Sequence, residues 1–198
     1  DYPHYFPTRP GFREAVAAVQ AQGVKVMPYI NGRLWDIHDR GTEDWQFTAR
    51  ALPAATKQRD GSPWLETYGS REEDGSPVRF AVMCPAAPLW RQTLADICRR
   101  LQQELGVDAI YIDQIAAMEP ALCQDPTHGH PLGGGGWWRK AYAELLQQVR
   151  AAAPGMPLTT ECNAEPYVDQ LDGYLTWHQM FPGQVPAFPS LYSGKVRT

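Results

Sequence analysis

The sequence lacks the features that mark membrane, nucleic-acid or nucleotide-binding proteins. No apolar run approaches the roughly 20 residues that a membrane-spanning helix needs. The formal net charge is −4 at pH 7, so we expect no nucleic-acid partner and no anionic membrane partner. No predicted strand is followed by GxGxxG or GxxxxGK[ST], and the four glycines at 133–136 lack a following Lys-Ser/Thr. These absences disfavour the common nucleotide-binding folds.

The cysteines form no CxxC pair and have no zinc-finger spacing. They are Cys84, Cys98, Cys123 and Cys162. We expect free buried thiols, with a disulfide as the alternative if the protein is secreted. An extracellular or periplasmic location is slightly favoured, but the sequence does not determine it. We predict no metal and no cofactor.

What the sequence does contain is an alternation of helix and strand signals within 198 residues. Helical spacing and end signals predict long helices at 11–22, 88–105 and 137–153, and a short helical turn at 165–171. Buried strands are predicted at 24–31, 107–113, 157–161 and 172–177, with a further strand near PSLYSG at 189–194. Residues 32–87 are predicted to be a long inserted loop, because 53–79 is rich in glycine, proline and charge.

This alternation, with strands that read as continuously buried, predicts an α/β fold with a parallel sheet. Doubly wound sheets and (β/α)8 TIM barrels both fit. Polar or aromatic residues end strand after strand, as they do where the strands of a barrel converge on one pocket, so we favour the barrel. Because a full barrel needs about 250 residues, we interpret 1–198 as the central part of a single catalytic barrel. The parent chain is expected to carry further domains that complete it, and the isolated piece to be poorly soluble.

Two of these strand ends carry carboxylates. Asp113 ends the strand in GVDAIYIDQIAA, and Glu161 ends PLTTE. Neighbouring strands lie about 4.8 Å apart, so both acids can act on one bond, as the carboxyl pair of a retaining glycosidase does. A structural role is the alternative: either acid could cap a helix or pair with Arg33 or Arg139.

The loop CQDPTHGHPLGGGGWW at 123–138 follows the Asp113 strand. Its glycine content costs entropy, which is understandable where the backbone approaches a ligand closely. We expect His128 and His130 to hydrogen-bond sugar hydroxyls. A metal site with Asp125, or a purely structural loop, is the alternative.

The other predicted substrate-binding residues also follow strands. Each of them is as easily a structural residue as a functional one. They are Asn31, Arg33, Trp35, Gln114, Asn163, Trp177 and His178.

Taken together, PYING, FAVMCP, YIDQI, HGHPLGGGGWW, TTECNAEPY and DGYLTW resemble a bacterial glycoside-hydrolase-like barrel family, often described only as a domain of unknown function. The family is distantly similar to endo-α-N-acetylgalactosaminidases and α-galactosidases. The resemblance implies a TIM-type catalytic barrel, an Asp nucleophile at Asp113 and a Glu acid/base at Glu161. The wide Asp113–Glu161 spacing keeps Glu165 and Asp172 open as the acid/base.

The leading hypothesis is therefore a retaining glycoside hydrolase acting on an oligosaccharide or glycoconjugate. A non-catalytic carbohydrate-binding barrel and a metal-dependent hydrolase on the same fold are the alternatives.

Overall fold

A computed structural model describes residues 2–40, 46–176 and 182–197. Its central element is a four-stranded parallel sheet in the order β1-β5-β6-β7. The strands are β1 (Tyr29–Asn31), β5 (Ile110–Asp113), β6 (Leu158–Glu161) and β7 (Gly173–Leu175). Within this sheet the strands lie side by side in the same order as in the sequence, as in a singly wound βα repeat.

Helix α1 (Phe12–Gln20) precedes β1, helices α2 (Pro88–Leu105) and α3 (Trp137–Ala152) precede β5 and β6, and the short α4 (Ala187–Tyr192) follows β7. Helix α2 matches its predicted bounds, because Pro88 can begin a helix and Gly106 ends it with a left-handed φ of 66°. The buried faces of α2 and α3 join strand residues such as Ile110 and Leu158 in one hydrophobic core.

The two faces of the parallel sheet differ in burial. Ile30, Ile112 and Thr160 belong to the buried face, whereas Tyr29 and Leu175 on the opposite face are 41% and 51% exposed. One face of the sheet is therefore buried and the other is only partly exposed, whereas the sequence predicted burial on both faces. The more exposed side of the sheet is also the side that carries Asp113 and Glu161, since side chains alternate along a strand.

The segment predicted as a long loop at 32–87 contains a second, antiparallel sheet. Its order is β2-β4-β3, formed by β2 (Leu34–Asp36), β3 (Leu65–Arg71) and β4 (Pro77–Val82). The prediction correctly placed an insertion between the first two parallel strands but wrongly made it irregular. Pro77 is tolerated because it lies at the first position of its strand.

Other boundaries also differ from the sequence-based predictions. Strands predicted at 24–31 and 107–113 are shorter, beginning at Tyr29 and Ile110. The segment PSLYSG lies largely in helix α4 rather than in a strand. In the part of the chain that the structure describes, no helix is both long and apolar enough to cross a membrane.

Candidate functional site

Asp113 and Glu161 lie side by side at one edge of the parallel sheet. Tyr111 of β5 pairs with Thr159 of β6, and two residues further along each strand ends at its acid. The two side chains interact, since Asp113 contributes to the raised pKa of Glu161. The predicted juxtaposition of the two carboxyl groups is therefore present.

The Asp113 carboxylate is held by two donors. The Tyr29 hydroxyl donates to Asp113 Oδ2 at 2.7 Å, and the Gln114 backbone N–H donates to Asp113 Oδ1 at 2.6 Å. Asp113 itself is only 8% exposed. Both oxygens are thus fixed in direction, which is what a positioned nucleophile requires.

Glu161 is in a different electrostatic environment. Burial, together with the hydrogen bond to Asp113 and the Asp113 charge, raises the pKa of Glu161 from 4.5 to about 7. A carboxyl group with such a pKa is about half protonated at neutral pH, so it can both give up and take up a proton. The site therefore places a carboxyl group suited to proton transfer beside Asp113.

The residue after each acid has an unusual backbone conformation. Gln114 has φ 64° and Cys162 has φ 60°, and neither is glycine. Left-handed backbone at such residues costs on the order of 1 kcal/mol or more, and such positions concentrate at functional sites. Cys162 is partly exposed, unlike Cys84, Cys98 and Cys123.

Asn31 and Gln114, two predicted substrate-binding residues, are instead engaged with the protein. Asn31 Oδ1 accepts the backbone N–H groups of Arg33 and Leu34, each at 2.8 Å. Asn31 Nδ2 donates to Gln114 Oε1 at 3.2 Å, and Gln114 also hydrogen-bonds to Tyr68. These residues support the loop around Asp113, and we do not include them among the sugar-binding groups.

Arg33 and Trp35 are likewise buried, at 2% exposure each. Arg33 pairs with Glu66 Oε1 of β3 at 2.9 Å, which connects the inserted sheet to the end of β1. Trp35 packs against Trp90 in the core, with ring centroids 6.2 Å apart. Trp35 is thus placed in the core, and its predicted contact with substrate stays a prediction.

The remaining predicted residues have mixed outcomes. Asn163, in the loop after Glu161, has a buried Oδ1 with no hydrogen-bond partner, so its predicted ligand-binding role stays a prediction. Trp177 and His178 lie outside the described residues. Asp172 is at the opposite end of β6 from Glu161, where it accepts the Leu158 N–H and pairs with Arg150. Glu165 is exposed and accepts a hydrogen bond from Tyr192.

The two loop histidines do not point to an obvious sugar-binding role. His128 is buried, with Nδ1 3.4 Å from Cys123 Sγ and Nε2 2.8 Å from the Pro53 carbonyl oxygen. His130 stacks on Trp137 with ring centroids 3.6 Å apart. Because His128 is buried and both of its nitrogens face protein atoms, we do not carry its predicted sugar contact forward.

Tyr29 and Tyr68 are the site residues that the sequence-based reasoning missed. Each belongs to a strand segment, where an aromatic residue is usually a core residue. A usable signal for Tyr29 was its position two residues before Asn31, on the same strand face.

Comparisons with known proteins find relatives that match nearly the whole chain. The chain is 36% identical over 199 residues to a Bacteroides thetaiotaomicron protein named "Putative glycoside hydrolase", covering 98% of the chain and 28% of that protein. It is also 36% identical over 205 residues to "Putative glycoside hydrolase 22789" of Monosiga brevicollis, covering 98% of the chain and 17% of that protein. The chain thus spans less than a third of the length of these curated relatives.

Solved structures share the fold at low sequence identity. The α-N-acetylgalactosaminidase of Bifidobacterium bifidum matches with a TM-score of 0.65 and 16% identity, over 87% of this chain and 26% of that chain. The α-galactosidase of Thermus thermophilus matches with a TM-score of 0.55 and 14% identity, over 82% of this chain and 29% of that chain. The resemblance inferred from the sequence motifs is confirmed, and because the family model for a domain of unknown function, DUF6259, matches residues 1–198, the chain belongs to that family.

Proposed function

We propose that this chain carries the catalytic centre of a retaining glycoside hydrolase, with Asp113 as the nucleophile and Glu161 as the acid/base. One observation carries the proposal: two carboxyl groups meet at the ends of adjacent strands, and the pKa of Glu161 is raised to about 7. The glycoside-hydrolase names of the relatives agree with it.

In the proposed reaction the two carboxyl groups have different roles. An Asp113 oxygen attacks the anomeric carbon and forms a glycosyl ester, while the bond to the leaving oxygen breaks and Glu161 gives that oxygen its proton. The Glu161 carboxylate then takes a proton from water, whose oxygen attacks the same carbon. This second step releases Asp113 and gives net retention of configuration.

The two acids are held differently. The Tyr29 hydroxyl and the Gln114 backbone N–H hold the Asp113 oxygens. We therefore propose that Asp113 keeps its position when a sugar binds, and that Glu161 makes any adjustment toward the separation of about 5 to 5.5 Å at which retaining pairs work.

We further propose that the substrate is a carbohydrate with an α-linkage. The support is the shared fold with two enzymes named as an α-N-acetylgalactosaminidase and an α-galactosidase. The unpartnered Asn163 Oδ1 is the group best placed in sequence to accept a sugar hydroxyl beside Glu161.

We also propose that the sheet is part of a (β/α)8 barrel, with residues 1–198 in its central portion. Consecutive strand order supports a barrel over a doubly wound sheet, in which the order reverses at a switch point. The partly exposed apolar side chains Met27, Tyr29 and Leu175 lie on the face that would become the barrel interior.

The test is an assay of the full-length protein against α- and β-linked aryl glycosides. Asp113→Asn is expected to abolish turnover. Glu161→Gln should lower the turnover rate by about 10²- to 10⁴-fold, and by less with leaving groups that need no protonation. Glu165→Gln is the matched control, an exposed carboxyl four residues away, and should retain activity.

Added azide is expected to restore turnover to Asp113→Ala as a glycosyl azide, and the first product of the wild type should retain its anomeric configuration by NMR. Sugar binding that is equal in wild type and Asp113→Asn, without turnover on any substrate, would instead favour a non-catalytic binding barrel.

A further inference from the structure

A cluster of metal-ligating side chains lies apart from the two carboxyl groups. One ligand atom from each of Cys84, Cys123, His128 and His130 lies within 4.8 Å of each of the others. Cys84 follows β4 of the inserted sheet, whereas the other three belong to the loop after β5. Both cysteines and His128 are buried, and His130 is half-buried.

Hydrogen bonds fix which nitrogen each histidine presents to this cluster. His128 Nε2 lies 2.8 Å from the Pro53 carbonyl oxygen and His130 Nδ1 lies 2.8 Å from the Pro131 carbonyl oxygen. A carbonyl only accepts, so each of these nitrogens carries the proton. The lone pairs therefore reside on His128 Nδ1 and His130 Nε2.

Those two nitrogens are the ones left for a ligand. His128 Nδ1 is 3.4 Å from Cys123 Sγ, and His130 Nε2 is buried without any hydrogen-bond partner. A carbonyl on the distal nitrogen is the usual outer partner of a metal-bound histidine, because it sets the tautomer and ring orientation.

The surroundings hold the four groups in place. His130 stacks face to face on Trp137, with an interplanar angle of 4°. Cys123 and Gly133 exchange backbone hydrogen bonds at 2.7 and 3.3 Å. Gly129, between the two histidines, has a left-handed φ of 72° that turns the chain so that both rings face the cluster.

The cysteine pair also favours a cation. The sulfur atoms of Cys84 and Cys123 lie within 4.8 Å of each other. A metal-bound cysteine is a thiolate. Two thiolates and two neutral imidazoles carry a charge of −2, which balances one divalent ion.

We propose that Cys84, Cys123, His128 and His130 bind one zinc ion in a closed tetrahedral site that ties the inserted sheet to the loop after β5. Bond lengths of about 2.3 Å for sulfur and about 2.0 Å for nitrogen put tetrahedral ligands roughly 3.3 to 3.8 Å apart. The Cys123–His128 distance of 3.4 Å already fits that range, and no pair is farther apart than 4.8 Å, so the contraction needed is at most about 1.5 Å. Four protein ligands leave no open position, so the ion's role is structural.

The first experiment measures metal in the full-length protein, purified under reducing conditions without chelator. Plasma mass spectrometry is expected to find one zinc per chain. Cys84→Ser and Cys123→Ser should each lose most of it. Cys98→Ala and His38→Gln, a buried cysteine and an exposed histidine outside the cluster, are the matched controls and should keep it.

A second measurement uses cobalt in the wild type, so this readout does not depend on variants folding. Removing zinc and adding Co²⁺ to the wild type should produce the intense visible bands of tetrahedral cobalt together with thiolate-to-cobalt charge transfer. A chelator should lower the melting temperature of the wild type but not of a Cys84→Ser/Cys123→Ser double variant.

Three results would overturn the proposal. One is metal far below one equivalent even after refolding with zinc. Another is cobalt spectra without thiolate charge transfer. The third is a Cys84–Cys123 disulfide, seen as two of the four thiols unreactive in denaturant without reductant.

Discussion

Replacing Glu161 by glutamine is expected to stabilise the protein above pH 7 while it inactivates the enzyme. The reason is that burial and the neighbouring Asp113 disfavour the ionised form of Glu161, raising its pKa to about 7. Glutamine keeps the size and the hydrogen-bonding capacity of the neutral acid but never ionises. The residue proposed to be essential for turnover is therefore predicted to be a source of instability.

The sign and size follow from the two pKa values. The pKa of Glu161 in the fold, about 7, lies above its unfolded value of 4.5, so the stability contribution of the protonated group is complete below pH 4.5 and is lost as the pH rises through 7. A difference of about 2.5 units corresponds to about 3.4 kcal/mol at 1.36 kcal/mol per unit. Because Glu161 is partly exposed, solvent screening reduces this to about 1 to 2 kcal/mol.

The assay compares melting temperatures of wild type and Glu161→Gln at pH 5 and pH 8. For a domain of this size 1 kcal/mol corresponds to about 2 to 4 °C, so the variant should gain about 2 to 8 °C over the wild type at pH 8 and much less at pH 5. Glu165→Gln controls for the loss of a nearby carboxylate and should not reproduce the difference. A variant less stable than wild type at pH 8, or a gap independent of pH, would refute the reasoning.

Three further outcomes are expected. The kcat/KM of the wild type should fall as the pH rises through about 7, because glycosylation needs protonated Glu161. A kcat/KM that does not change between pH 6 and pH 9 would contradict this role. Tyr29→Phe removes a donor from Asp113 and should lower kcat by roughly 10-fold, the effect of a charge-assisted hydrogen bond of about 1.5 kcal/mol, with little change in KM. Gly32→Ala should lower the melting temperature and the activity, because the added Cβ would lie 2.7 Å from the Ile112 side chain and overpacking costs about 1 to 3 kcal/mol. Gly69→Ala is the control, since a Cβ at Gly69 would meet open space. Equal effects of the two substitutions would exclude overpacking as the cause.

The parallel part of the fold was predictable because its signals are local. Helix α2 has Pro88 at its start and Gly106 after its end, and each predicted strand end that carries an acid is a strand end in the structure. The inserted sheet was missed because its glycine, proline and charge content was interpreted as loop. A usable signal was present, because Asp74-Gly75 separates two strand-like runs. In the structure this dipeptide lies in the turn between β3 and β4.

The site was predictable only where chemistry coincides with strand ends. Asp113 and Glu161 come together because neighbouring parallel strands align their ends. The contact between Arg33 and Glu66 could not be inferred, because it depends on how an insertion of unknown structure packs. The same applies to Cys84 and Cys123, which have 38 residues between them in the sequence and are brought together by two different loops.

The partial exposure of Cys162 provides a built-in chemical reporter. Its thiol follows directly after Glu161 in the chain, and the three other cysteines are buried. An alkylating reagent should therefore label this position first, at a rate that depends on whether a sugar covers the end of β6. Protection of one thiol by candidate sugars would screen for ligands without any turnover, and so would identify the substrate class even for an inactive variant.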